Sequence, residues 1–181
     1  MGRLIAPCVV AHLRPDAGNV GVTAIDKQAV DHPVKVGKLG LYADVQADRK
    51  HHGGEHQAVY AYAAEDADWW AEQLQRDIPP GLFGENLRVA GLDVSNARVG
   101  ERWRIGDQVV LEVTLPRTPC MTFARWMGEE RNGWVRRFSD ARRLGAYLRV
   151  VKTGTVRAGD AIEVIQAPEG SPTVLDIYTG P

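Results

Sequence analysis

Four apolar residues at period two, Val109, Leu111, Val113 and Leu115, with polar partners between several of them, constrain this chain more than any other feature. Alternation of this kind gives a strand one face toward a core and one toward water. The period returns at Leu87 and Val89, and Tyr147 to Val151 and Ala161 to Ile165 supply closing strands. Shorter strands are predicted at Val9 to Leu13, Val34 to Val36, Leu39 to Leu41 and Ala58 to Tyr62. A glycine followed by an acid recurs at Gly84-Glu85, Gly100-Glu101, Gly106-Asp107 and Gly159-Asp160, each at the mouth of an apolar strand. These pairs read as tight strand-to-strand turns.

Helical spacing is rarer. Ala67, Trp70, Ala71 and Leu74 share one face of a helix predicted over Glu65 to Gln75, which stops at Pro79-Pro80-Gly81. Phe123, Ala124, Trp126 and Met127 fit a short helix, and Trp134 to Phe138 another. Many short strands with few short helices predict a mainly β fold, a mostly antiparallel barrel or folded sheet of the α+β kind. No linker divides the chain, so one domain over residues 1–166 is expected. The tail 167–181, with Pro168, Gly170, Pro172, Gly180 and Pro181, is predicted to be a loose arm.

Composition narrows the function. Lys plus Arg total 22 against 23 Asp plus Glu, a net charge of −1, so there is no global basic field to drive nucleic-acid binding. Two cysteines, Cys8 and Cys120, are too few for a disulfide scaffold and predict reduced thiols in a cytoplasm. No segment approaches the ~20 apolar residues of a membrane helix, and the run from Leu4 to Ala11, broken by Pro7, is a poor signal sequence.

Chemistry concentrates in Asp44-Val45-Gln46-Ala47-Asp48-Arg49-Lys50-His51-His52-Gly53-Gly54. Neither period fits this stretch, so it is read as a loop, where polar functional groups collect. His51, His52 and His56 lack the spacing of a zinc protease helix, and no Cys-x-x-Cys accompanies them. Their titration near neutral pH suits binding or proton transfer. Asp44, Asp48 and Glu85 suit general acid roles, with structural hydrogen bonding the more frequent use of any one of them. Asn86 offers both donors and an acceptor for recognising a heterocycle or orienting a catalytic group. The Trp69-Trp70 pair and Trp126 are read as packing.

Cys120 follows Pro116-Arg117-Thr118-Pro119. With Thr118 as N-cap and Pro119 as the first helical residue, the thiol falls in a first helical turn, where amides, dipole and Arg117 favour the metal-binding thiolate. Cys8 lies in an apolar strand and is read as core.

Taken in order, Leu39-Gly40-Leu41-x-x-Asp44-x-Gln46-Ala47-Asp48, His51-His52-Gly53-Gly54, Phe83-Gly84-Glu85-Asn86-Leu87, Pro116-Arg117-x-Pro119-Cys120 and the closing segments 145–150 and 154–160 resemble the MOSC domains, named for the C-terminal domain of molybdenum cofactor sulfurases, in their YiiM-like branch. The resemblance runs from about Val22 to Val164. It implies a β-barrel-like fold and a pocket for the molybdenum cofactor (Mo-molybdopterin), with Cys120 as metal ligand and Arg117 as anion contact. Lys27 and Arg149 follow on position and charge, and Thr118, Asp48 and Asn86 complete the cofactor-binding set. It also implies an oxidoreductase that removes the oxygen of an N–OH group in N-hydroxylated bases, with His51 or His52 as proton donor. Electrons would come from a separate electron-donor protein. Ala43-Asp44 stands where the family commonly has Gly-Asp, His32 stands where glycine is frequent, and the small C-terminal helical domain of many YiiM-like proteins is not expected.

Two other classes compete: a carrier of the cofactor or its sulfur without turnover, which needs Cys120 and the basic residues but not the histidines, and a small anion-binding barrel without molybdenum. Loss of metal retention in Cys120→Ala separates the first two readings from the third.

Overall fold

The computed structural model describes residues 1–47, 53–128 and 133–179. In chain order these residues form β1 (Gly2–Pro15), β2 (Val22–Ala29), β3 (Val34–Gly37), β4 (Gly40–Leu41), β5 (Val59–Ala63), α1 (Ala64–Leu74), β6 (Leu87–Ala90), β7 (Arg102–Ile105) and β8 (Val109–Pro116), then α2 (Met121–Trp126), α3 (Gly133–Ala141), β9 (Ala146–Lys152), β10 (Gly154–Val156) and β11 (Ala161–Ile165).

A closed barrel follows from the pairing order β11-β7-β8-β9-β5-β6-β1, because β1 also bonds back to β11. Closure removes the unpaired edges that an open sheet would present. Its pairs are antiparallel except β5 with β6. A parallel pair needs a long crossover, and α1 with the following loop supplies it. A smaller sheet, β10-β3-β4, lies beside the barrel.

Strand alternation sorts the core into two layers. On β5, Val59, Ala61 and Ala63 join the barrel interior with Leu111, Val113, Trp103 and Leu148. Tyr60 and Tyr62 of the same strand point the other way, into an aromatic layer with Trp70, Phe83, Phe123 and Phe138. Trp70 and Phe138 stack with centroids 5.6 Å apart. Truncating one of these large buried rings costs about 3–5 kcal/mol. This layer fastens α1, α2 and α3 to one side of the barrel.

The predicted mainly β fold is present, and the helix predicted over Glu65 to Gln75 appears as α1, one residue displaced. The four Gly-acid pairs all place glycine at positive φ, but only Gly106-Asp107 joins two paired strands, β7 and β8; Gly84-Glu85 lies between α1 and β6, Gly100-Glu101 between the unpaired β6 and β7, and Gly159-Asp160 between β10 and β11 of different sheets. The tail is also different from the loose arm expected. Val174 is fully buried, its N–H bonds to the Ala97 carbonyl at 2.9 Å, and the Tyr178 and Ser139 hydroxyls lie 2.7 Å apart. Apolar contacts of Val174, Leu175 and Tyr178 pin a segment whose prolines and glycines suggest none. None of the described helices is long and apolar enough to cross a membrane.

Candidate functional site

β1 outruns the barrel. Its first part pairs with β6 and β11, and its second, from Cys8 to Pro15, forms a hairpin with β2. This hairpin reaches over the barrel rim toward the start of α2. Asp16, at its tip, accepts hydrogen bonds from Arg125 Nε and Nη2, both at 2.8 Å, and from the Thr122 hydroxyl at 3.0 Å. The Arg125 bonds hold the Asp16 carboxyl at about 2, below its ordinary range. Between hairpin, rim and α2 lies a cavity of about 500 Å³.

Three segments build its polar wall. Asp44 accepts from Val10 N–H at 3.1 Å and from Asn86 Nδ2 at 2.7 Å, and it pairs with Lys27 Nζ. Asn86 in turn accepts the Tyr60 N–H at 3.0 Å. Lys27, Asp44 and Asn86 therefore form one network, and Lys27 spends its charge on Asp44. Ala43, just before, has φ 67, the left-handed region that favours glycine. Gln46 closes the base of the ionisable loop, donating to the Leu39 carbonyl and accepting the Gly54 N–H at 2.9 Å. Gly40 has a steric reason: a Cβ there would meet the Ala58 carbonyl oxygen at 2.3 Å.

Glu85 serves the second segment. Fully buried, it accepts the Gly81 and Phe83 N–H groups and pairs with Arg88. Arg88 also donates to the Ile78 and Pro79 carbonyls. This carboxylate is a structural anchor for the loop that ends in Asn86, not an acid facing the cavity.

The third segment runs from Arg117 to Thr122. Arg117 is 5% exposed, with its guanidinium 4.1 Å from the Phe123 ring centroid and 5.3 Å from that of Phe138. Its Nη1 is buried without a hydrogen-bond partner. Gln57 Oε1, on the same cavity, is in the same condition. Orphaned buried polar atoms carry a cost of about 1–3 kcal/mol each, and these two belong to residues that line the cavity. Burial pushes the Tyr147 hydroxyl up in pKa, and Arg117 beside it pulls the other way.

Cys120 also lines the cavity, but not as the sequence predicts. It is itself the N-cap of α2, with extended backbone, and its carbonyl accepts the Ala124 N–H at 3.0 Å. Thr118 and Pro119 thus precede the helix, and Thr118 is an exposed lining residue, not the cap.

The structure brings together Cys120, Arg117, Thr118, Lys27 and Asn86 around one cavity. Arg149 lies elsewhere, on the outward side of β9, paired with Glu112 at 2.7 Å. His56 is exposed and absent from the cavity wall. Asp48, His51 and His52 lie outside the described residues. Trp69 and Trp70 pack edge to face, Trp70 fully buried, and Trp126 donates to the Leu82 carbonyl, as packing roles require. Cys8 is fully buried, and burial pushes its thiol far up in pKa. Sequence reasoning missed Asp16, Arg125, Gln57 and Tyr147. Asp16 and Arg125 are 109 residues apart, and no local pattern announces their pairing. Tyr147 was visible only as strand composition.

A closed barrel carrying a thiol, a buried unpaired guanidinium edge and a polar network on one cavity defines a small-molecule or cofactor site. The MOSC domain model matches residues 48–163, more than half of the chain, and the chain belongs to the MOSC domain family. This family is associated with molybdenum cofactor binding. The chain is 35% identical over 147 residues to the uncharacterized protein YflK of Bacillus subtilis, covering 81% of this chain and 65% of that one. It is 34% identical over 166 residues to a protein named "Reductase" from Gibberella moniliformis, covering 86% of this chain and 28% of that one. The crystal structure of YiiM from Geobacillus stearothermophilus superposes with TM-score 0.76 at 26% identity, covering 97% of this chain and 80% of that one. The chain thus spans less than two thirds of the length of these two sequence relatives.

Proposed function

We propose that this chain binds the molybdenum cofactor in the cavity beside Cys120 and uses it to reduce N-hydroxylated bases or related N–OH compounds. The observation that carries the reading is Arg117: a buried guanidinium that lines the cavity, with an Nη1 that has no hydrogen-bond partner, on the same short segment as the thiol. The residues fit the group. Cys120 on the cavity wall offers one sulfur ligand to a metal that brings its own further ligands.

Cys120 would be the metal ligand. Arg117 would donate Nη1–H to an anionic group of the cofactor, a charge-assisted bond that relieves its orphaned state. Thr118 and Asn86 would supply polar contacts at the rim, and Lys27, already paired with Asp44, would fix that wall. Bound there, the cofactor supplies two-electron oxygen-atom-transfer chemistry. The net change is R–NH–OH + 2 H⁺ + 2 e⁻ → R–NH₂ + H₂O: the N–O bond breaks, the oxygen leaves as water, and a separate electron-donor protein supplies both electrons. His51 or His52 is proposed to deliver the proton. A relative named as a reductase supports the redox reading.

The test is turnover of an N-hydroxylated base with dithionite as electron source, in protein from a host that makes the cofactor. Wild type should turn over and Cys120→Ala should not. His51→Ala with His52→Ala should change the pH profile at unchanged metal content. Retained metal with no turnover would make the chain a carrier.

A further inference from the structure

The β1–β2 hairpin has a fixed base, an irregular middle and a tied tip. At the base, Val10 and Lys27 are register partners, and both bond to Asp44, the first through its N–H and the second through Nζ. Just above them the pairing register shifts between Val10 and His12, and again between His12 and Arg14. An irregularity of this kind bends a strand and interrupts its ladder, so the pairing is weakest there. Above the first shift, Asp26 ties the two strands together: it accepts Arg14 Nε at 2.7 Å and lies 3.3 Å from His12 Nδ1. At the turn, Asp16 N–H donates to the Gly21 carbonyl and Gly21 N–H to the Gly18 carbonyl.

This tip is part of the cavity wall. Asp16 and Val20 line the 500 Å³ cavity from the hairpin, and Cys120, Thr122 and Arg125 line it from α2 and its N-cap. The Asp16 carboxylate joins the two sides through its bonds from Arg125 Nε and Nη2 and from the Thr122 hydroxyl. Two of these three are charge-assisted. Arg14 adds a weaker contact, its guanidinium 5.9 Å from the Trp126 ring centroid. The Arg125 side chain is 27% exposed, so water reaches the pair and can replace its bonds at modest cost. Val20 and Val22 also line the cavity while staying 46% and 36% exposed, so a molecule bound there would cover apolar hairpin surface.

We propose that the β1–β2 hairpin is a strap over the cofactor cavity, and that Asp16 is the positioning residue whose latch on α2 sets how fast the cofactor enters and leaves. The inference rests on the cofactor reading for its ligand. A pocket that encloses most of its ligand's surface exchanges that ligand only when a wall gives way. Here the tip swings about the irregular stretch after Val10, while the base stays anchored at Asp44 and keeps the Lys27–Asp44–Asn86 network in place. Opening precedes loading and release alike, so losing the latch speeds both.

The experiment compares wild type, Asp16→Asn, Thr122→Val and, as a control loosened away from the hairpin, Val174→Ala. In cofactor-free protein the alkylation rate of Cys120 is measured with small iodoacetamide and with bulky pyrene maleimide, Cys8 being fully buried and followed separately by mass spectrometry. A change in thiol reactivity moves both reagents, whereas an opened strap favours the bulky one. The bulky-to-small rate ratio should rise about 5–30-fold in Asp16→Asn, less in Thr122→Val, and stay at the wild-type value in Val174→Ala. In cofactor-loaded protein, molybdenum loss on dialysis should quicken in the same order. An unchanged ratio in Asp16→Asn, an equal rise in Val174→Ala, or equal molybdenum loss from wild type and Asp16→Asn overturns the proposal. The expected alkylation ratios in protein that never takes up molybdenum would support the strap while contradicting the cofactor reading, so the two failures are distinct.

Discussion

Arg88 and Arg117 are equally buried, at 4% and 5% exposure, yet their surroundings differ in kind. Arg88 donates to Glu85 and to two backbone carbonyls, and its charge is neutralised within one loop. Arg117 lies on aromatic rings, no carboxylate among the described residues pairs with it, and one nitrogen stays unsatisfied at a cavity. A satisfied buried charge specifies structure. An unsatisfied one beside a cavity, retained despite its cost, is arranged for something that arrives later.

The comparison breaks most readily at Arg88. Arg88→Met strands the Glu85 carboxylate in the interior and is expected to lower unfolding stability by about 3–5 kcal/mol in denaturant titration. Arg117→Met should behave oppositely. Loss of its ring contacts and removal of the unsatisfied nitrogen oppose each other, leaving stability within about 1–2 kcal/mol of wild type. Its effect should appear in cofactor retention, weakened about 10–100-fold by metal analysis after dialysis.

Asp16 gives a smaller effect with a defined pH window. Its folded carboxyl is held at about 2 against an ordinary value of 3.8, so the unfolded chain takes up the proton first as pH falls. The Asp16–Arg125 contribution is therefore complete above about pH 4 and is lost as pH falls from there through about 2. Arg125 is partly exposed, and solvent screening reduces the gain to about 1–2 kcal/mol. Asp16→Asn should be that much less stable at neutral pH and should converge with wild type in acid denaturation.

The smallest effect belongs to Ala43, the residue at φ 67 before Asp44. Ala43→Gly relieves left-handed strain of about 1–2 kcal/mol but adds unfolded-state freedom of about 0.5–1 kcal/mol. A gain of at most about 1 kcal/mol in thermal unfolding is expected, and a loss would show that the Asp44 network needs the methyl group.

Legibility in the sequence followed the same divide. β8 and α1 were readable because each has a clean period and a terminating turn. β2 was not, since Val22-Thr23-Ala24-Ile25-Asp26-Lys27 alternates weakly and its pairing with β1 is irregular. Pro7 hid the length of β1, which continues to either side of it. The motif made Cys120 and Arg117 visible, but the absence of a partner for Nη1 depends on neighbours scattered from Tyr60 to Phe138. Charge and position suggested Arg149 without revealing that Glu112 faces it across β8 and β9.

Molybdenum content decides the central claim most directly, measured by elemental analysis on wild type and Cys120→Ala from a host that makes the cofactor. Near-stoichiometric metal in wild type, with little in a folded Cys120→Ala protein, is the predicted result. Equal metal in both, or none in well-folded wild type, would contradict a cofactor held at this thiol.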